Sequence, residues 1–434
     1  MTKYTGILLG LALLSSCTAV EKIDYPDRFR ETTGLPTVHF VRYADRDVVI
    51  EQANMEETIC IVGDNLTSVH DIYFNDQKAI LNPSYMTAHT LMVSVPKTLP
   101  TVQDDQMHLI TRDSSVVLYD FKVLPPVPKV DAMSNEWARP GDKVTISGSY
   151  LFAPLSVSFP GVDPIEITES DGSAVTVTVP EGAQPGKIKV STASGTAQSI
   201  FMYKDSRGML FNFDTDPHPA NHGWHAQVIE TDDTALDGKF LRLGDPGVTL
   251  DEEGGWADGN FSFEYWPGDW DDPVTYADSP RLTEYADFSQ WKNMALKFEL
   301  FVPSANPWKS GAMQLIIGGV DLVTGGGEGT VDIDGNVTAG ANNKFISGDG
   351  LPMAPRALYI PWKESGSFDT GNQWITVTVP YSQFTYKSDG TPNSYEIKPE
   401  TFTSLTIFVW NGGVTGTACN PVIKIDNIRA VPIK

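Results

Sequence analysis

Three cysteines in 434 residues cannot make a disulfide scaffold, so hydrophobic cores must hold this chain together. Basic residues are scarce too: 31 Lys plus Arg stand against 55 Asp plus Glu, a formal charge of -24. A chain this acidic repels phosphate backbones and anionic lipid, which excludes nucleic acid as a partner. Helix-period stretches of useful length are absent as well. The apolar run near the start, Ile7 to Leu14, has eight residues. At 1.5 Å per residue it covers about 12 Å, far short of a bilayer core. What the chain does have is 41% hydrophobic and only 20% charged residues, which rules out wholesale disorder. Its length suits about three domains of roughly 150 residues. It also carries ten tryptophans, a surplus that needs a reason.

Lys3, the short apolar run and Leu14-Ser15-Ser16-Cys17 together form a secretory leader. The Leu-Ser-Ser-Cys run resembles a bacterial lipobox, which implies lipidation of Cys17 and a mature chain that begins there. Residue 18 is Thr where an Asp would suggest inner-membrane retention, so an outer-membrane lipoprotein is expected. Cys60 lies in an apolar strand and Cys419 far away near the C-terminus, and both are expected to be free thiols.

An internal repeat follows. Thr58-Ile-Cys-Ile-Val-Gly63-Asp-Asn-Leu66 matches Val144-Thr-Ile-Ser-Gly148-Ser-Tyr-Leu151, and Leu91-Met-Val-Ser-Val-Pro96 matches Val175-Thr-Val-Thr-Val-Pro180. Short Val/Ile/Thr runs between Gly, Asn, Asp and Pro predict two small antiparallel sandwiches. Gly63 and Gly148 are expected to supply a φ that L-residues resist, and the prolines to end strands by removing a ladder donor. Pro140 to Leu151 resembles the strand entry of IPT/TIG immunoglobulin-like domains. In the first unit Asn54-Met-Glu-Glu57 stands where that turn should be. The two units read as stalks, separated by the semi-rigid spacer Pro125-Pro-Val-Pro128.

Nine of the ten tryptophans lie beyond Asp205. Strand-like runs at Phe298–Val302, Met313–Ile317, Trp374–Val379, Leu405–Val409 and Ile423–Ile428 predict a larger jelly-roll sandwich. Leu210-Phe-Asn-Phe-Asp214, His222-Gly-Trp224, Pro355-Arg-Ala-Leu-Tyr359, Pro361-Trp362 and Ile425-Asp-Asn-Ile428 resemble the C-terminal domain of Bacteroidetes surface glycan-binding proteins. Members of that family are lipoproteins that follow a SusD-like protein in polysaccharide-utilisation loci. The resemblance implies non-catalytic capture of a polysaccharide, xyloglucan or mixed-linkage β-glucan foremost, for delivery to a SusC/SusD-like transporter complex. The expected layout is an all-β chain. A leader occupies 1–16 and a lipidated tether 17–35; IPT/TIG domains span 36–124 and 125–205; a jelly-roll carbohydrate-binding domain fills 206–434. A monomer is expected.

Glucan chains present flat faces of C–H bonds that stack on aromatic rings. Covering roughly 50 Å² per sugar at about 25 cal/mol/Å² contributes about 1.3 kcal/mol. Trp308 and Trp362 sit in polar loops, with Tyr359 beside the latter, and Trp266 and Trp270 flank a Pro-Gly turn among acids. These five are the expected carbohydrate contacts, whereas Trp224, Trp291, Trp374 and Trp410 are expected to pack in the core. The negative charge disfavours uronate-rich or sulfated glycans, so a neutral β-linked polymer is the better ligand.

Catalysis has little support. Glycoside hydrolysis needs two carboxylates at a fixed separation, and acids scattered through an acidic chain do not define one. No Gly-x-Ser-x-Gly elbow or His-Glu-x-x-His motif is present. His218, His222 and His225 cluster without a cysteine nearby, which argues for packing more than for a metal. No cofactor is required. A structural calcium on Asp214 and Asp426, as in many jelly-roll carbohydrate modules, is compatible with the sequence. The rival reading from another class is a surface adhesin that uses the immunoglobulin-like repeats to bind a protein.

Overall fold

The computed structural model describes residues 32–215, 227–255, 258–265, 280–318, 329–331, 337–339 and 353–433. Among these residues strands dominate, joined by 3-10 turns and one helical turn at Asp258–Phe261. Three large hydrophobic clusters form along the chain, from Val41 to Val123, from Val130 to Tyr203 and from Leu210 to Ala430. By compactness the chain separates into two units, one ending at Pro126 and one running from Val127 to the C-terminus.

The first unit is a sandwich. One sheet orders the strands Val49–Ile50, Thr37–Tyr43, Thr58–Asp64 and Thr90–Ser94; the other orders Gln77–Lys78, Val69–Phe74, Gln106–Thr111 and Val116–Asp120. Alternation does the sorting. In Gln106–Thr111 every second residue, Met107, Leu109 and Thr111, is buried, as a strand with one face on a core requires. Cys60 lies buried and unpaired in Thr58–Asp64, and Cys419 is equally a buried free thiol, as the sequence predicts.

The second immunoglobulin-like sandwich repeats the plan, with sheets Lys129–Met133, Lys143–Phe152, Asp171–Thr178 and Ile165–Ile167, Leu155–Ser158, Lys189–Thr192, Gly195–Gln198. The repeat glycines play a different part from the one expected. Neither Gly63 nor Gly148 has a positive φ. Instead a Cβ at Gly63 would lie 1.8 Å from the Thr37 carbonyl oxygen, and one at Gly148 1.9 Å from that of Lys129. Both sit opposite a register shift in the neighbouring strand, where two backbones approach too closely for any side chain.

The C-terminal sandwich packs a six-stranded sheet on a four-stranded one. The large sheet runs Ile229–Glu230, Phe240–Leu243, Ile423–Pro432, Met294–Phe301, Ile375–Pro380, with Met209–Phe211 also paired to Ile423–Pro432. The small sheet runs Ser262–Tyr265, Leu405–Val409, Met313–Ile317, Arg356–Tyr359. Met294, Leu296, Phe298 and Leu300 meet Leu405, Ile407, Val409, Met313 and Leu315 between the layers.

The opposite face of Met294–Phe301 is buried too, because the second immunoglobulin-like sandwich covers it. Lys297 Nζ meets Glu136 at 2.5 Å, Arg429 bridges Glu136 at 3.0 Å, and Arg429 also pairs with Glu299 at 2.7 Å. All four side chains are buried. The Glu136 amide donates to Thr376 Oγ1 at 2.6 Å, and the Thr376 amide to the Ser134 carbonyl at 2.8 Å. Trp137 packs beside Phe240, Phe301 and Trp374. These contacts explain why the two sandwiches form one compact unit.

Candidate glycan-binding site

The aromatic side chains of the C-terminal sandwich divide by depth, and the division differs from the expectation. Trp308 is fully buried and Trp362 is 3% exposed. The Trp308 backbone pairs with Phe368 in both directions, at 2.9 and 2.8 Å, which pulls its polar loop onto the sandwich. The indole Nε1 donates to the Ser310 carbonyl at 2.5 Å and to the Gly311 carbonyl at 3.1 Å. Trp362 Nε1 reaches the same Gly311 oxygen at 3.0 Å. Two indoles thus converge on one turn, with both N–H groups satisfied and both rings in the core. Neither is a surface platform. The polarity of Pro303 to Gly311 describes the residues around Trp308, and the ring itself turns inward.

Tyr359 ends the edge strand of the small sheet and rests against Trp308 with ring centroids 6.2 Å apart. It is half-buried, and burial pushes its hydroxyl up to about 12. Trp266 and Trp270 fall outside the described residues, as do Trp224, Trp256 and the three clustered histidines. Trp266 directly follows Tyr265, the last residue of the other edge strand, whose ring is buried in the core. Most of the glycine-rich stretch 323–356 is also outside the described residues.

The expected core tryptophans fare unevenly. Trp374 is buried, and its Nε1 donates to the Thr234 carbonyl at 2.6 Å. Trp291 and Trp410 keep part of their surface, the former beside Phe402 and the latter stacked on Phe408 at 5.6 Å. One aromatic that sequence reasoning missed is Tyr386, which is 38% exposed. Its amide donates to the Arg356 carbonyl, which sets it along the same sheet edge as Tyr359. The only local signal was a tyrosine within the polar run Thr385-Tyr-Lys-Ser-Asp-Gly390.

The face of the small sheet turned away from the core carries a polar arrangement. Gln314 Oε1 accepts from Arg356 Nη1 at 2.6 Å, while its Nε2 donates to the Trp410 carbonyl at 2.7 Å and the Ser388 carbonyl at 3.2 Å. Both side chains are fully buried, and burial pushes the Arg356 guanidinium down to about 10. Gln314 ties the strand to the loops holding Ser388 and Trp410, fixing backbone next to the exposed Tyr386. Among the described residues no group of three or more His, Cys, Asp or Glu is arranged to hold a metal ion. No helix among them is long and apolar enough to cross a membrane.

Comparison with known proteins places this geometry. The family model for the surface glycan-binding protein B xyloglucan binding domain matches residues 203–432, the whole C-terminal sandwich. The crystal structure of surface glycan-binding protein PbSGBP-B from Prevotella bryantii is 41% identical. It aligns over 93% of this chain and 100% of that one, with a TM-score of 0.77. An IPT/TIG domain-containing protein of Bacteroides ovatus is 27% identical over 217 residues, 45% of this chain and 43% of that protein. The match thus spans less than half the length of that curated relative. The chain belongs to the surface glycan-binding protein B family, whose members bind glycan and do no catalysis.

Proposed function

We propose that this protein captures a neutral β-linked polysaccharide, xyloglucan or mixed-linkage β-glucan, through aromatic platforms on its C-terminal sandwich. The observation that carries the reading is the match of residues 203–432 to a domain described as xyloglucan-binding. Trp266 and Trp270 are the proposed stacking residues from the sequence; Tyr359 and Tyr386 join them at the sheet edge. Trp308 and Trp362 support the site from inside the fold. The net charge of -24 repels uronate-rich chains and leaves neutral ones unopposed. A few stacked rings at about 1.3 kcal/mol each give only about millimolar affinity, so capture relies on many receptors along one polymer. Lipidation at Cys17 would supply such a tethered array at the outer membrane, beside a SusC/SusD-like uptake complex that takes over the bound chain.

Native gels cast with xyloglucan, mixed-linkage glucan, mannan or polygalacturonate test this. Retardation is expected in the first two gels and none in polygalacturonate, with losses in Trp266→Ala, Trp270→Ala and Tyr386→Ala. Free migration in every neutral glycan overturns the reading in favour of a protein-binding adhesin.

A further inference from the structure

A groove lies along the edge of the first immunoglobulin-like unit. It follows Thr90–Ser94, the edge strand of one sheet, and is bordered across the way by residues between Lys78 and Tyr85. Its volume is about 910 Å³, at the upper end of what small-molecule sites occupy. Two large side chains line it uncovered: Ile80 is 91% exposed and Tyr85 59%.

The Tyr85 backbone is pinned although its ring is not. Pro83 opens a 3-10 turn, the Asn82 side chain accepts from the Ser84 amide at 3.0 Å, and the Tyr85 amide donates to the Asn82 carbonyl at 2.9 Å. Met86 then bridges to Leu91 on the edge strand. An exposed ring on a fixed backbone loses little freedom when a ligand stacks on it. Polar groups share the groove: the Thr58 and Ser94 hydroxyls bond each other at 2.9 Å, and Asn82 and Thr98 also line it. Lys78 pairs with Asp71 at 2.7 Å, and Glu56 offsets Lys97, so the groove is close to neutral. A protein strand has little edge to pair with here, because the Thr90 amide and carbonyl are both taken by Thr87, at 2.8 and 2.7 Å.

The internal repeat supplies a control. Val175–Pro180 of the second unit matches Leu91–Pro96, and that edge also borders a groove, of about 570 Å³. Ile165, Ile167, Thr176 and Thr178 line it, Glu181 stands where the first unit has Lys97, and none of its lining residues is aromatic. The sandwich edge thus makes a groove in both units, but it does not account for an exposed ring in one. We propose that the groove of the first unit is a second polysaccharide contact, in which Tyr85 stacks on sugar faces and the hydroxyl and amide groups beside it bond sugar hydroxyls. The inference rests on the glycan-capture reading above and changes one part of it: the first unit is a receptor surface as well as a stalk. A polymer of many repeats offers sugars to both contacts, which raises avidity without a tighter single site.

Native gels of the full chain, cast with graded xyloglucan or mixed-linkage glucan, test the groove. Tyr85→Ala should raise the apparent Kd about fivefold to tenfold, the share of one stacked ring, while Tyr85→Phe keeps the ring and should run as the wild type. Ile80→Asn alters a second exposed lining residue and should also weaken retention, which keeps the test decisive if Tyr85→Ala fails to fold. A retarded wild type with both variants running beside it overturns this contact and leaves capture by the C-terminal sandwich standing. A wild type that migrates freely in every neutral glycan overturns both. A dimer in sedimentation velocity that Tyr85→Ala dissolves, with glycan retention unchanged, overturns the contact too and assigns the groove to a second copy of the chain.

Discussion

Replacing Trp308 with alanine separates a platform from a core residue. The indole is fully buried, holds two carbonyl oxygens through Nε1, and packs against Tyr359 and Phe368 at centroid distances of 6.2 and 6.5 Å. Trp-to-Ala changes in such surroundings cost about 3–5 kcal/mol, the removed transfer energy plus the cavity left behind. The Gly311 carbonyl keeps its bond from Trp362, but the Ser310 carbonyl loses its indole donor, which holds the cost toward the upper end. For a domain of this size each kcal/mol moves Tm by about 2–4 °C, so a fall of roughly 6–20 °C is expected. Trp308→Phe keeps most of the apolar volume and should lose about 1–3 kcal/mol, chiefly the unsatisfied carbonyl. Differential scanning calorimetry reads both, and glycan retardation should persist in Trp308→Phe below its transition. The reasoning fails if Trp308→Ala leaves Tm unchanged while glycan retention disappears. That pair of results belongs to an exposed stacking residue.

Three further substitutions test the packing and the backbone. Glu136→Gln removes the acid shared by Lys297 and Arg429, leaving buried cations short of charge; a loss of about 3–5 kcal/mol should appear in denaturant unfolding of the second unit. A change below about 0.5 kcal/mol would mean the network is solvated and the two sandwiches are not locked by it. Gly148→Ala should destabilise by about 1–3 kcal/mol, because its methyl group would meet the Lys129 carbonyl, whereas Gly366→Ala, at φ 74° with open space around it, bears only the backbone penalty of about 1–2 kcal/mol. Circular-dichroism melts of the two variants give the comparison, and an unperturbed Gly148→Ala would remove the close-approach explanation.

The repeat was legible because sandwich strands carry their signal locally. Val144, Ile146, Val175 and Val177 alternate with polar neighbours, and each is buried as that alternation requires. The reason for the glycines was not legible. A requirement for positive φ and a requirement for backbone contact both select glycine, and only the neighbouring Thr37 and Lys129 carbonyls tell them apart. The strand Met294–Phe301 shows the same limit. Its Lys297 and Glu299 are charged residues in a strand, and both are buried because a separate sandwich supplies Glu136 across the interface.

By itself the sequence determined the all-β class, the paired immunoglobulin-like units, the free cysteines and the concentration of aromatic residues in one C-terminal sandwich. Each depends on composition or on a period of two along a strand, which any window of the chain displays. Tertiary structure alone decided where the surplus tryptophans point. Trp308 and Trp362 lie more than fifty residues apart and share the Gly311 carbonyl, so their burial depends on a meeting that neither local segment encodes. Side-chain depth is a property of what folds over a residue, and in a sandwich that partner comes from distant strands.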